Sequence, residues 1–304
     1  MDITLERLRK SFDERKYICN DEMLITVYLA LKLEKPLLVE GEPGVGKTEL
    51  AKVLSDILNA ELIRLQCYEG LDENKALYEW NYQKQLISIQ MCRINEKEGL
   101  LQQDLFSQDY LLARPILKAI QGQAKSILLI DEIDKADEEF EAFLLEFLSD
   151  FQISIPELST IKAKRIPLVV LTSNAIRELS DGLKRRCAYL YIDYPSIEKE
   201  TSIILAKVPG IEMALAREIA AGVYYLRNRI ELQKKPSIAE TLDWAKALVD
   251  LGAGHIYSDE IRKTLGFFVK NKQDLELFKD KDVVLGMDRG IRENIASRLN
   301  KGKG

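Results

Sequence analysis

The chain has 304 residues, enough for one large domain or for a large and a small one. Apolar residues make up 46% and charged residues 31%, the balance of a soluble globular protein rather than a fibrous or lipid-embedded one. A formal net charge of −5 supplies no global positive field toward nucleic acid or anionic membranes. Four cysteines, Cys19, Cys67, Cys92 and Cys187, stand far apart, and His255 is the one histidine. A zinc site needs clustered thiolates or imidazoles, so neither a metal cluster nor a Cys/His nucleophile is expected. The stretch from Met1 to Lys16 carries both signs of charge and no apolar core, so no leader peptide is expected there. The longest apolar runs, such as Ile127–Ile130, are too short to span a bilayer. A cytoplasmic location is expected.

In chain order, residues 22–33 place Leu24, Val27, Tyr28 and Leu31 at helical spacing ahead of Pro36. The first buried strand, Leu37–Val39, runs into Gly41-Glu42-Pro43-Gly44-Val45-Gly46-Lys47-Thr48, which fits G-x-x-x-x-G-K-[ST]. Its glycines let backbone N–H groups converge on phosphate oxygens, and the helix expected over Thr48–Leu58 adds its positive end. Lys47 can reach the β- and γ-phosphates of ATP, and the Thr48 hydroxyl can ligate Mg²⁺. Glu49, in the first turn of that helix, is counted with the nucleotide-binding stretch.

A second strand is expected at Leu62–Leu65, followed by an insertion over about 68–124. That insertion's aromatic residues Tyr68, Tyr78, Trp80 and Tyr82 fit either a partner surface or internal packing. The apolar strand Ser126–Ile130 then ends in Asp131-Glu132. Asp131 would hold Mg²⁺, and Glu132 would orient and deprotonate an attacking water. Asp134 reads as a solvated turn or cap residue. After a helix at Glu138–Leu148, alternating residues from Phe151 to Arg165 suggest a hairpin. The next strand, Leu168–Leu171, leads to Ser173-Asn174, whose carboxamide can touch a γ-phosphate or the lytic water. Leu183-Lys184-Arg185-Arg186-Cys187 precedes the last strand, Ala188–Ile192, and offers an exposed arginine to a transferring phosphoryl group.

Strand alternating with helix implies a five-stranded parallel sheet covered on both faces. The texture changes near 195, so an α/β nucleotide-binding core over 1–195 and a helical domain over 196–304 are expected. Helical spacing in the second runs over Ile211–Ile230, Ile238–Leu251 and Glu260–Val269.

The order of phosphate loop, Asp-Glu strand, Asn174 and Arg-Arg turn resembles the AAA+ ATPases, specifically the MoxR type, across residues 20–195. Gln66-Cys67-Tyr68-Glu69-Gly70-Leu71-Asp72, Tyr78-Glu79-Trp80-Asn81-Tyr82 and Asp181-Gly182-Leu183-Lys184-Arg185-Arg186-Cys187 look like the CoxD-like branch, associated with maturation of a molybdenum–copper carbon-monoxide dehydrogenase. The resemblance implies a P-loop AAA+ core with a C-terminal helical lid. It also implies a homo-oligomeric ring, usually hexameric, with ATP at subunit interfaces. It assigns the roles above to Lys47, Thr48, Asp131, Glu132 and Asn174, and the trans-acting finger to Arg186, with Arg185 beside it. It further implies a client metalloenzyme, such as a molybdenum hydroxylase, and a separate partner carrying a von Willebrand A domain. One position departs from the pattern. Where related chains often carry a sensor arginine in the lid, Lys235-Pro236-Ser237-Ile238-Ala239-Glu240 places Ser237, which forms a capping box with Glu240. Lys234 or Lys235 would then be the substitute cation.

Three other readings follow from the residues. Asn271-Lys272-Gln273-Asp274 fits the guanine-reading pattern N-K-x-D but lies in a run, Glu260–Leu277, that reads as exposed helix or turn. A nucleic-acid motor would use Lys162, Lys164 and Arg165 of the hairpin, against the acidic balance of the chain. A non-hydrolysing nucleotide switch would need neither Glu132 nor the arginine pair.

Overall fold

In a computed structural model, which describes residues 3–94, 105–155 and 159–301, five parallel strands form one sheet in the order β2-β5-β8-β1-β9. The strands are β1 (Leu37–Gly41), β2 (Glu61–Gln66), β5 (Ser126–Asp131), β8 (Leu168–Ser173) and β9 (Ala188–Ile192). Every residue of β5 is buried, as are five of the six in β8, which explains their unbroken apolar sequences. The register pairs Gln66 with Asp131, Ile130 with Leu171 and Glu40 with Ser173, so the carboxyl ends of four strands meet at one edge. Ligands of open α/β sheets bind at that edge.

The strands lie where the apolar runs predict them; the helix Asp21–Lys32 precedes the first of them, and the helices Lys47–Leu58 and Glu138–Asp150 lie between them. The hairpin also forms: β6 (Gln152–Ile155) pairs antiparallel with β7 (Ser159–Lys162), Ile153 opposite Ile161. The insertion folds as helix Glu73–Leu77, helix Tyr82–Ile94 and a two-stranded ribbon of β3 (Tyr78–Trp80) and β4 (Leu111–Ala113); residues 95–104 of that stretch lie outside the described residues. Trp80 is buried edge-on to Tyr78 and Phe106, at centroid distances of 5.9 and 5.2 Å, whereas Tyr68 and Tyr82 are exposed. The aromatic residues therefore divide between packing and surface.

The chain forms two compact units: the sheet with its flanking helices up to Ile192, and a helical unit that begins at Asp193. Two short segments, Phe12–Ile18 and Glu42–Gly46, group with the helical unit. Beyond Ile192 the described residues contain no strand. The helical core is built on Trp244, whose ring lies 4.5 Å from Phe268 and whose Nε1 donates to Thr264 Oγ1 at 2.8 Å. Nearby, Arg227 donates to both oxygens of Glu200 at 2.7 and 3.0 Å and to the Pro236 carbonyl at 2.8 Å. Both side chains are almost wholly buried, and burial lifts the Glu200 carboxyl above its ordinary range, with Arg227 opposing.

The run Glu260–Leu277 is helical, as expected from its sequence, but one face of it is buried rather than the whole exposed. It forms the helices Ser258–Phe268 and Lys272–Leu277, with Ile261, Thr264, Phe268 and Asp274 buried. Asp274 accepts from the backbone N–H groups of Gln233 and Lys234 at 2.9 and 3.1 Å, and Asn271 caps its own helix. These bonds account for N-K-x-D as internal structure. No helix among the described residues is long and apolar enough to cross a membrane.

Replacing Glu200 with Ala leaves the Arg227 guanidinium buried without its carboxylate, a loss of about 3–5 kcal/mol. Urea unfolding should show that loss, and a Glu200→Leu/Arg227→Met protein should recover most of it.

Candidate functional site

The loop after β1 needs glycine at two positions for steric reasons. A Cβ on Gly41 would lie 2.0 Å from the Ile192 carbonyl oxygen, inside the strand pairing of β1 with β9. A Cβ on Gly44, at φ +73°, would lie 2.3 Å from Ser237 Cβ. Gly46 also takes a positive φ, +97°, so the loop winds through the left-handed region that turns successive N–H groups inward. Lys47 opens the helix Lys47–Leu58; its side chain is buried and its Nζ donates to the Gly41 carbonyl at 2.7 Å. Within the loop Val45 is buried and Glu42 and Pro43 are exposed, while Glu49 pairs with Lys52 one turn on at 3.8 Å.

At the end of β5, the Asp131 carboxylate is 2% exposed, and a buried charge there must be compensated. Thr48 Oγ1 donates to its Oδ1 at 3.0 Å, and Thr172 Oγ1 donates to the same oxygen. The Arg64 guanidinium, reaching across from β2, donates to Oδ2 through Nε at 3.0 Å. Thr48 and Asp131 thus present a hydroxyl and a carboxylate side by side, oxygen donors of the type that Mg²⁺ prefers.

The next residue, Glu132, adopts φ 57° and ψ 51°, a left-handed conformation that costs a non-glycine residue energy and is held by its surroundings. Its N–H donates to Thr172 Oγ1 at 2.9 Å. Its carboxylate receives Gln66 Nε2 at 2.9 Å, Asn174 Nδ2 at 3.4 Å and Lys135 Nζ at 2.7 Å. The bond to Glu132 keeps the Lys135 ammonium protonated above its ordinary range. Lys47, Thr48, Asp131, Glu132 and Asn174 therefore belong to one unit, with Thr48 bonded to Asp131 and Asn174 to Glu132. Arg185 and Arg186 end the helix Asp181–Arg186, exposed, with no bond to this cluster.

Asp134 corrects its sequence reading. It is 3% exposed rather than solvated, because the turn Ile133–Lys135 folds its side chain against the end of β8. Arg64, Gln66 and Thr172 were missed. The signal was present in β2, whose exposed polar positions alternate with buried Ile63 and Leu65, but it needed the pairing of β2 with β5 to acquire meaning.

Within the helical unit, Glu42, Pro43, Gly44, Tyr194, Lys235 and Ser237 line a cleft. Ser237 and Glu240 form the expected capping box, with Ser237 N donating to Glu240 Oε2 at 2.7 Å, and Ile238 N donates to the Gly44 carbonyl at 3.2 Å. Lys234 pairs with Glu240 at 3.7 Å, and Lys235 is exposed. Tyr194 lies under the Arg227 guanidinium, 4.3 Å from ring to cation, and burial pushes its hydroxyl up to about 12.

Residues 37–192, slightly over half of the chain, match the family model for the ATPase family associated with various cellular activities (AAA). The chaperone protein ClpB of Bacillus cereus (strain ATCC 10987 / NRS 248) is 26% identical over 147 residues, which are 47% of this chain and 14% of ClpB. The chain thus spans a small part of that relative's length. An uncharacterised protein of Staphylococcus haemolyticus (strain JCSC1435) is 26% identical over 246 residues, covering 78% of this chain and 85% of that protein. The RuvB Holliday junction branch migration motor of Thermotoga maritima shares 19% identity at a TM-score of 0.47, over 82% of this chain and 70% of that one.

Burial pushes the thiols of Cys67 and Cys187 up to about 12, with Asp131 adding to the effect at Cys67. In the folded protein at pH 8, iodoacetamide should leave both unmodified while the half-buried Cys19 reacts, as mapped by peptide mass spectrometry.

Proposed function

The chain belongs to the AAA family of ATPases, whose chemistry is Mg²⁺-dependent ATP hydrolysis, and we propose that it is a MoxR-type chaperone of the CoxD-like branch. In this reading a core over 1–195 binds ATP, a lid over 196–304 responds to it, and a homo-oligomeric ring, hexameric in this proposal, remodels a client in the cytoplasm. The client is a metalloenzyme, a molybdenum hydroxylase by resemblance, reached through a separate chain that carries a von Willebrand A domain.

The observation that carries the enzymatic part is the convergence of Thr48 with Asp131 and of Asn174 with Glu132 at one sheet edge. The backbone from Gly41 to Gly46 would cradle the phosphates, and Lys47 would pair with the β- and γ-phosphates. Thr48 and Asp131 would hold Mg²⁺, which supplies charge neutralisation to the phosphate oxygens. Glu132 would orient the attacking water and accept its proton, with Asn174 sensing the γ-phosphate. Arg186, exposed beside Arg185, would reach the site of a neighbouring subunit. The MoxR and CoxD-like parts rest on the residue resemblance around Gln66–Asp72, Tyr78–Tyr82 and Asp181–Cys187.

Steady-state hydrolysis by purified protein tests the reading. Glu132→Gln should lower kcat by about 10²–10⁴-fold, the range for loss of a general base, while ATP binding is kept. A Glu132→Gln protein that hydrolyses ATP at the wild-type rate would remove Glu132 from the mechanism. A wild-type protein that binds ATP and hydrolyses none at any concentration would move the account to the nucleotide-gated switch.

A further inference from the structure

Asp134 lies outside the roles given above, yet its surroundings are built around it. One of its oxygens, Oδ2, accepts two backbone N–H groups, from Asn174 and from Ile176, each at 3.1 Å. The residue between them, Ala175, is held at φ 57°, a conformation unfavourable for alanine, and its N–H turns to Ser173 Oγ at 3.0 Å. The loop after β8 therefore wraps one carboxylate oxygen. The other oxygen, Oδ1, is buried and makes no hydrogen bond among the described residues, an unfavourable burial that the two bonds to Oδ2 must offset.

The same segment is tied a second time. Arg177 donates to the Ala136 carbonyl at 2.8 Å and forms an ion pair with buried Glu141. Glu141 Oε2 in turn accepts the Ser180 N–H at 3.0 Å, and Ser180 caps the helix Asp181–Arg186. Two buried carboxylates thus fasten the stretch from Asn174 to Ser180, Asp134 onto the turn that begins at Glu132 and Glu141 onto the helix Glu138–Asp150.

We propose that Asp134 is a positioning residue for ATP hydrolysis: by accepting the Asn174 and Ile176 N–H groups it holds the Asn174 carboxamide on Glu132. The inference rests on the reading that Asn174 serves hydrolysis. Its geometric basis is that the Asn174 backbone is fixed by Asp134 Oδ2 while its side chain donates to Glu132 Oε1 at 3.4 Å. A displacement of an ångström at such a group costs up to about 10²-fold in rate.

The test compares Asp134→Ala, Asp134→Asn, Asn174→Ala and the Asp134→Ala/Asn174→Ala pair in the full chain, with thermal melts to establish folding. Asp134→Ala should lower kcat by about 10- to 100-fold and shift the Kd of a fluorescent ATP analogue by no more than about threefold. Asp134→Asn, which keeps a carbonyl acceptor for both N–H groups, should hydrolyse within about threefold of wild type, and it decides the matter if the alanine variant does not fold. The double variant should be no slower than Asn174→Ala alone, because the two residues act through one contact. A folded Asp134→Asn protein that binds ATP without hydrolysing it would overturn the proposal. So would an Asp134→Ala protein at the wild-type rate, or one whose loss adds fully to that of Asn174→Ala. An Asn174→Ala protein with wild-type hydrolysis would instead sink the underlying reading of Asn174, and the proposal with it.

Discussion

A single buried carboxylate organises the nucleotide edge of the sheet. Asp131 ends the interior strand β5 at 2% exposure, where an unpaired charge would cost several kcal/mol. Its compensation comes from three directions: Thr48 at the start of the helix Lys47–Leu58, Thr172 near the end of β8 and Arg64 on β2. Each of these bonds fixes an element that carries another functional group. Thr48 fixes the residue next to Lys47, β8 leads to Asn174, and β2 presents Gln66 to Glu132. Satisfying one charge therefore aligns the candidate site, and Glu132 can be held in a left-handed conformation because Thr172 and Gln66 grip it on both sides.

The phosphate loop shows how sterics set the motif. Gly41 is required by the carbonyl of Ile192 in the neighbouring strand, and Gly44 by the side chain of Ser237 together with its own positive φ. Serine at 237 is small enough to lie against Gly44 while its hydroxyl caps the helix Ile238–Asp250. An arginine at that position would have to give up both contacts.

The sequence was most legible where local chemistry and tertiary context agree. The apolar runs of β1, β5 and β8 identified the central strands because strands buried on both faces tolerate little else. The G-x-x-x-x-G-K-T stretch, the Asp131-Glu132 pair and the Ser237-Glu240 capping box each carry their mechanism in the spacing. Legibility failed where a contact or burial is created by distant partners. Arg64 and Gln66 lie on the exposed face of the edge strand β2, and only its pairing with β5 brings them to Asp131 and Glu132. Asp134 looks like a solvated turn residue until the loop after β8 closes over it. Asp274 looks like part of a guanine motif until Gln233 and Lys234 supply its N–H donors. In the insertion, aromatic content alone could not separate Trp80, which packs, from Tyr82, which faces outward.

In the proposed mechanism, Asp131 and Thr48 together form the metal-binding pair around which the ATP site is ordered. Titrating Mg²⁺ against binding and hydrolysis of ATP, in wild type beside Asp131→Asn, tests it most directly. The substitution should raise the Mg²⁺ concentration needed for half-maximal hydrolysis by about tenfold or more and depress the rate at saturation. An Asp131→Asn protein with the wild-type Mg²⁺ dependence and rate would contradict it.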